Sequence, residues 1–354
     1  MNKGKRPPAT ALDVARLAGV SQSAVSRAFT PGSSVANTTR LKVMEAARAL
    51  GYRPNALARS LITQRSNMIG VVVGNLENPM FSTALEELTS QLAKAKLRLL
   101  LFSAHLDTPV EDIIPYRIEA LIMLSVPVSP PLAAECAIGQ VPIVMFNRTS
   151  VDPAVSSITG DNVAGGRDLA AFLLAGRHER IAFLALAGQG ESTANADREA
   201  GFVQYLQEQG HTLYLREQAD FSATAAAAAM RRLLLRPQRP DAVFCANDQM
   251  AIVAIGVAQE EFGLEIGRDI SIVGFDNVPQ AAWPGISLTT YSQPVVPMVQ
   301  ETLSLINAVR NGASQAYHVI VPGELTVRSS ARKPQRPYRS IKKPASENEK
   351  PNQQ

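Results

Sequence analysis

The chain has 354 residues, 46% hydrophobic and 19% charged, with two cysteines. It contains no run of about 18 apolar residues. That composition belongs to a globular protein with room for more than one domain, and it excludes a membrane span and a disulfide scaffold. The net charge of +4 hides an asymmetry: residues 1–65 carry eleven basic and two acidic side chains (+9), residues 332–354 seven and two (+5), and the stretch between them balances at −10. A basic end on an acidic body suits a protein that meets a polyanion with one end only.

The N-terminus is basic but lacks the apolar core of a signal peptide, and two cysteines read as free thiols lead to the expectation of a reducing cytoplasm. Thr10 caps a first helix, with Asp13 three residues on completing a capping box. Leu12, Val14, Ala15, Leu17 and Ala18 give that helix an apolar face, and Gly19 ends it. Ser21 caps a second helix after a gap too short for an ordinary loop and right for a helix-turn-helix corner. Ala24, Val25 and Ala28 of the second helix face inward. Gln22, Ser23, Ser26 and Arg27 face outward, as a recognition helix requires. Arg27 can fork onto guanine O6 and N7, Gln22 can pair with adenine, and Ser21 and Ser26 suit phosphate oxygens. Pro31 to Ser34 form a turn. A third helix runs from about Thr39 to Leu50 with Leu41, Val43, Met44, Ala47 and Leu50 inward, and Gly51 stops it. Asn55 caps a two-turn piece ending at Leu61, too short to be stable alone in water.

From Met68 the pattern changes to short apolar runs separated by helical stretches. Strands are predicted near 68–73, 98–102, 120–125, 141–146, 181–187, 242–246, 270–274 and 288–291. Helices are predicted over 81–95, 165–174, 197–208, 223–235, 249–262 and 295–310. Alternation of this kind means parallel sheets covered on both faces, here in two sets divided near Gly160. In such sheets ligands sit beyond the carboxyl ends of the strands. The polar residues at those ends are Asn75, Asn147-Arg148, Asp161-Asn162, Asn247-Asp248 and Asp276-Asn277. Arg198 opens a helix beside them. Carboxylates and amides can hold hydroxyl groups, and Phe81, Phe221 and Trp283 can cover a sugar's C–H face. Asp248 is expected to cap the helix that follows it. Cys136 and Cys245 lie far apart in apolar surroundings and read as buried free thiols.

Asp13-Val14-Ala15, Ala18-Gly19-Val20-Ser21, Val25-Ser26-Arg27, Thr39-Arg40 and Leu50-Gly51-Tyr52-Arg53-Pro54-Asn55 resemble the headpiece of the LacI/GalR family of bacterial transcription regulators. The resemblance extends over roughly 10–330 through Asp161-Asn162, Asp197-Arg198-Glu199-Ala200-Gly201-Phe202, Asn247-Asp248, Gly274-Phe275-Asp276-Asn277 and Gln293-Pro294. It implies an all-α helix-turn-helix headpiece over 1–54, a hinge helix and linker over 55–65 and a periplasmic-binding-protein-like α/β body of two parallel-sheet lobes over 66–331. The chain would cross between lobes near 160 and 290, with 291–317 in the first lobe and 318–330 in the second. The tail, 332–354, reads as disordered.

The resemblance further implies a homodimeric repressor on double-stranded, palindromic operator DNA. Thr10, Ser21, Gln22, Ser23, Ser26, Arg27, Asn55, Arg59 and Leu61 would lie at the DNA, with Leu61 wedged into the minor groove. A small-molecule effector, a sugar or sugar acid, would meet Phe81, Asn147, Asp161, Arg198, Phe221, Asn247, Asp276 and Gln293. Two departures stand out. The family usually has Asp where this chain has Asn147, removing a charge from the cleft, and often Gly-His where it has Arg177-His178. His178 reads as structural.

Rival readings fare worse. A transport-type sugar-binding protein would share the body alone, and the +9 headpiece argues against it. An enzyme would need a metal-ligand cluster, a phosphate-cradling glycine loop or a Ser/His/Asp set, and none is apparent; no cofactor or metal is implied.

Overall fold

In the computed structural model, residues 9–30, 32–53, 65–74, 76–103, 113, 116–150, 152, 154–187, 193–312 and 315–334 are described. They form two compact units, 1–67 and 68–354. Asn55, Arg59 and Leu61, together with Asn75 and most of the tail, lie outside the described residues.

The first unit is three helices, α1 (Ala11–Ala18), α2 (Gln22–Ala28) and α3 (Asn37–Leu50). The capping box forms as expected. The Thr10 hydroxyl accepts from the Asp13 amide at 3.3 Å, and the Asp13 carboxylate accepts from the Thr10 amide at 2.9 Å. Gly19 and Gly51 end α1 and α3 in the left-handed conformation. The core differs from expectation. It consists of Val14, Ala15, Val25, Ala28, Val43, Ala46 and Ala47, while Leu12, Leu17, Leu41, Met44 and Leu50 are exposed. Short helices that approach closely bury small side chains, so the larger apolar residues are left outside. The turn after α2 is pinned: the Ser33 hydroxyl reaches the carbonyls of Arg27 and Thr30, and Arg40 donates to Ala28 O at 2.6 Å and Ser33 O at 3.3 Å.

The second unit holds two six-stranded sheets. Its first lobe contains β1 (Met68–Val73), α4 (Pro79–Lys94), β2 (Arg98–Ser103), β3 (Ala120–Leu124), α5 (Pro130–Ile138), β4 (Ile143–Phe146) and β5 (Ser156–Gly160). The second contains α6 (Asn162–Ala175), β6 (Ile181–Leu186), α7 (Thr193–Glu208), β7 (Leu215–Ala219), α8 (Ala223–Leu234), β8 (Ala242–Cys245), α9 (Asp248–Glu260), β9 (Ser271–Asp276) and β10 (Thr289–Ser292). Then come α10 (Val295–Arg310), β11 (His318–Val321) and β12 (Glu324–Thr326). The first sheet is parallel throughout, in the order β11-β5-β4-β3-β1-β2. The second runs β12-β10-β9-β8-β6-β7, with only β12 antiparallel.

The chain leaves the first sheet after Gly160 and returns through α10. It crosses again after β11, which pairs with β5, so residues 318–321 belong to the first lobe and not the second. The strands absent from the sequence reading are β5, β7, β11 and β12. Ser-Ser-Ile-Thr-Gly and Leu-Arg-Glu-Gln-Ala carry no apolar run, and β7, β11 and β12 are edge strands. β5 is buried along its length, and its hydroxyls are used: Ser156 accepts from Tyr317 N and Ser157 pairs with His318. Helix α5 opens on two prolines, which the first turn tolerates because its N–H groups have no helical acceptor.

Two helices of the second lobe cross at close range through glycine. A Cβ on Gly201 of α7 would overlap the backbone of Val163 on α6, and one on Gly166 would overlap Arg198 O. That contact sets Arg198 against the end of the sheet. Cys136 and Cys245 are free and buried, and burial pushes both thiols up from their ordinary acidity. No helix among the described residues is long and apolar enough to cross a membrane.

Candidate functional site

Two sites are laid out, one on each unit. On the first, Thr10, Ser21, Gln22, Ser23, Ser26 and Arg27 are all exposed. Ser21 caps α2 by accepting from the Ala24 amide at 3.2 Å and pairs with the Ser23 hydroxyl at 2.9 Å. Thr10 donates its hydroxyl proton to Asp13 at 2.7 Å, which holds the Asp13 carboxylate below its ordinary pKa. The outer face of α2 therefore presents an amide, hydroxyls and a guanidinium from one rigid element.

On the second unit, polar side chains meet where the carboxyl ends of the two sheets face each other. Arg198 is 2% exposed. Its Nε donates to Asn162 Oδ1 at 2.9 Å, one terminal nitrogen to Ala246 O at 2.7 Å and Asn195 Oδ1 at 3.4 Å, and the other to Asp276 Oδ1 at 3.3 Å. The guanidinium lies 3.9 Å from the centroid of the Phe275 ring. Burial opposes charge on both ions and outweighs their attraction, so Arg198 is held below its ordinary pKa and Asp276 above. Asp276 has a φ of 121°, which few non-glycine residues adopt, and strain of this kind persists only where surroundings over-determine it.

Asn147, in the left-handed region at φ 56°, accepts from Gln293 Nε2 at 3.3 Å; Asn162 Oδ1 accepts from the same nitrogen at 3.4 Å. Gln293 approaches because position 160 is glycine: a Cβ there would overlap its side chain. Its Oε1 is buried with no hydrogen-bond partner among the described residues.

The structure thus brings together Asn147, Arg198, Asp276 and Gln293 and adds Asn78 and Asn162. Asp161 stands at the same edge, capping α6 through Ala164 N at 3.0 Å. Asn247 caps α9, accepting from Met250 N at 2.9 Å. The cap is therefore Asn247 and not, as the sequence suggested, Asp248, because Asn247 has the extended backbone a cap requires. Asp248 is fully buried and accepts instead from Thr290 Oγ1 at 2.6 Å and Val278 N at 2.9 Å. Burial, then the neighbouring Asp276, push its pKa up to about 7. Phe81 is 5% exposed in the core, Phe221 is half-buried, and Trp283 is 56% exposed and outside the core.

Asn78 was missed, although Asn-Pro is a cap followed by a first-turn proline; its side chain caps α4 through Met80 N at 3.0 Å. His178 is structural. It is buried with Nδ1 3.5 Å from Asp241. Burial opposes the Asp241 charge, but His178 and the amides of Glu179 and Arg180 bring its pKa to about 2. Among the described residues no group of His, Cys, Asp and Glu could hold a metal ion.

Residues 10–55 match the family described as bacterial regulatory proteins, lacI family, and residues 170–331 match a periplasmic binding protein-like domain. The chain is 31% identical over 344 residues to the HTH-type transcriptional repressor PurR of Erwinia tasmaniensis, covering 94% of this chain and 99% of that one. It is 31% identical over 343 residues to the repressor CytR of Escherichia coli K12, covering 93% and 98%. A crystal structure of the lac repressor dimer bound to operator and the anti-inducer ONPF superposes with a TM-score of 0.81 at 28% identity, over 92% of this chain and 100% of that one. The transcriptional regulator CelR in complex with cellobiose gives 0.68 at 27% identity, over 92% and 100%.

Asp248 generates a pH prediction. Its carboxyl keeps a proton up to about pH 7 when folded but only to about 3.8 when unfolded, so its contribution to stability falls as pH rises between those values. Asp248→Asn removes that slope. Chemical denaturation across this window should show the wild type losing stability relative to the variant as pH rises, with the difference level above it. Parallel profiles would contradict the assignment.

Proposed function

The chain belongs to the LacI family of bacterial regulatory proteins, DNA-binding transcriptional repressors rather than enzymes, and on that premise we propose that it acts in the cytoplasm as a homodimer on a near-palindromic operator, under the control of a neutral sugar held between the lobes of its body. The observation that carries the DNA reading is the outer face of α2, where Gln22, Ser23, Ser26 and Arg27 are exposed together. A helix presented this way reads base edges from its N-terminal side chains, and two copies related by a two-fold axis read two half-sites. The basic excess of residues 1–65 supplies the phosphate attraction that sets salt-dependent affinity. Asn55, Arg59 and Leu61 are proposed as hinge contacts, with Leu61 opening a base step in the minor groove.

The effector reading rests on the cleft. Asn147, Asn162, Arg198, Asp276 and Gln293 converge there as buried hydrogen-bonding groups, the kind that holds ligand hydroxyls. Asn147, Asp161, Arg198, Asn247 and Asp276 are the proposed polar contacts, with Phe81 and Phe221 proposed as the apolar side. Between a sugar and a sugar acid, the electrostatics favour the neutral compound: Arg198 is already paired with Asp276, and Asn147 adds no charge. A second buried carboxylate beside Asp276 is costly. The cellobiose complex of a relative supports the same class. The ligand acts on DNA only through unequal affinity for two body conformations.

For the DNA reading, the test is Arg27→Ala on a duplex selected by the wild type from random sequence. Loss of one bidentate base contact should weaken that duplex by about 1–3 kcal/mol and relax the preference at one position. Equal weakening on selected and random duplexes would overturn the role. For the effector reading, a neutral sugar that raises the melting temperature of the wild type should give no shift with a folded Arg198→Ala protein. A shift that survives would place the ligand elsewhere.

A further inference from the structure

The two lobes are joined by side chains as well as by the crossing strands, and one of those side chains has two jobs. Asn78 is 4% exposed, at the start of the first helix of the first lobe. Its Oδ1 caps α4 by accepting from Met80 N. Its Nδ2 donates to Asp276 Oδ2 at 3.2 Å, and Asp276 ends a strand of the other lobe. Asp276 is therefore divided between lobes: one carboxylate oxygen takes the Arg198 guanidinium of its own lobe, the other takes the Asn78 amide from across the cleft. Two further bonds span the same gap. Gln293 Nε2 lies between Asn147 of the first lobe and Asn162 of the second, and the Thr149 amide donates to Thr193 Oγ1 at the start of α7, at 3.0 Å.

We infer that Asn78 is a positioning residue that latches the first lobe onto Asp276, so that the lobes close on bonds the protein makes with itself and an effector entering the cleft must displace or rebuild them. The inference deepens the effector reading above and rests on it for its regulatory meaning. The chemistry is specific. A hydrogen bond to a charged acceptor is among the stronger ones, and the buried carboxylate cannot lose it cheaply. Because Asp276 is already strained and shares Arg198 with its own lobe, moving Asn78 away removes the donor that Oδ2 takes from the α4 cap. A ligand that offers a hydroxyl donor to Asp276 replaces the Asn78 amide and so controls whether α4 stays docked.

The latch and the cap are separable, because Asp caps a helix as well as Asn does. Asn78→Asp keeps the cap but sets one carboxylate against another, with Arg198, the half-protonated Asp248 and Asp197 as the titratable groups behind. Backbone amide exchange of the full chain, with no DNA or metabolite added, reads the outcome. At neutral pH the amides of Thr149 and Val278 should exchange about tenfold faster than in the wild type, the loss expected for a charge-assisted bond. The strand amides of Leu121 and Val243 should not change. On acidification the two carboxylates can share a proton, and protection should return relative to the wild type at the same pH.

A variant in which α4 is merely capped would behave as the wild type throughout, and that result overturns the latch. If strand amides also accelerate, the fold itself has been damaged, and Asn78→Ser decides instead. It keeps a capping oxygen without adding a charge but is too short to reach Asp276, and the amides of Thr149 and Val278 should then exchange faster. Unchanged exchange there overturns the proposal. Because no ligand enters these measurements, their failure leaves the effector reading standing, and failure to find a sugar leaves the latch standing.

Discussion

The body depends on one buried cation. Removing a guanidinium from water is costly unless its donors are met, and Arg198 meets them with Asn162 from the start of α6, the carbonyl of Ala246 after β8, and Asp276 at the end of β9. The Phe275 ring covers its face. These groups come from three separate elements, so each is held in place by the same charge. Gly166 and Gly201 are part of this arrangement, since only close crossing of α6 and α7 lets Arg198 reach all three. The strained backbone of Asp276 is a further consequence: its carboxylate is required where it stands by Arg198 on one side and Asn78 on the other.

Much of the plan was legible in the sequence, and the parts that were not fail for identifiable reasons. Thr10, Asp13, Gly19, Ser21 and Gly51 announce the helix ends because capping chemistry is local. The headpiece core was misjudged at Leu12, Leu17, Leu41, Met44 and Leu50, since periodicity weighs large apolar residues and close-packed short helices bury Ala and Val instead. In the body, apolar strands such as Met68–Val73 declared themselves. β5 did not, because a buried strand can be built from Ser and Thr whose hydroxyls are satisfied by the neighbouring strand.

The site was legible as a set and not in its roles. Polar residues at strand ends include Asn147, Asp161, Asn247 and Asp276, with Arg198 on the helix beside them, and topology brings them to one edge. Which neighbour caps a helix and which is buried depends on backbone angles that sequence does not carry; for this reason Asn247 takes the capping role expected of Asp248. Asn78 was hidden because its sequence context explains it fully as a cap, leaving its second bond, 198 residues away along the chain, without any local signal. The side chain that most directly joins the lobes is thus the one a local reading has least cause to notice.

The dependence on Arg198 is measurable as an interaction energy. Arg198→Met, Asp276→Asn and the double variant, each unfolded in denaturant alongside the wild type, isolate the coupling between the two side chains. Breaking one partner of a buried pair costs about 3–5 kcal/mol, mostly from the charge left alone. The double variant should therefore be far less destabilised than the sum of the single ones, with a coupling of about 1–3 kcal/mol. Additive losses would show that Arg198 and Asp276 stand side by side without depending on each other, and would contradict the account.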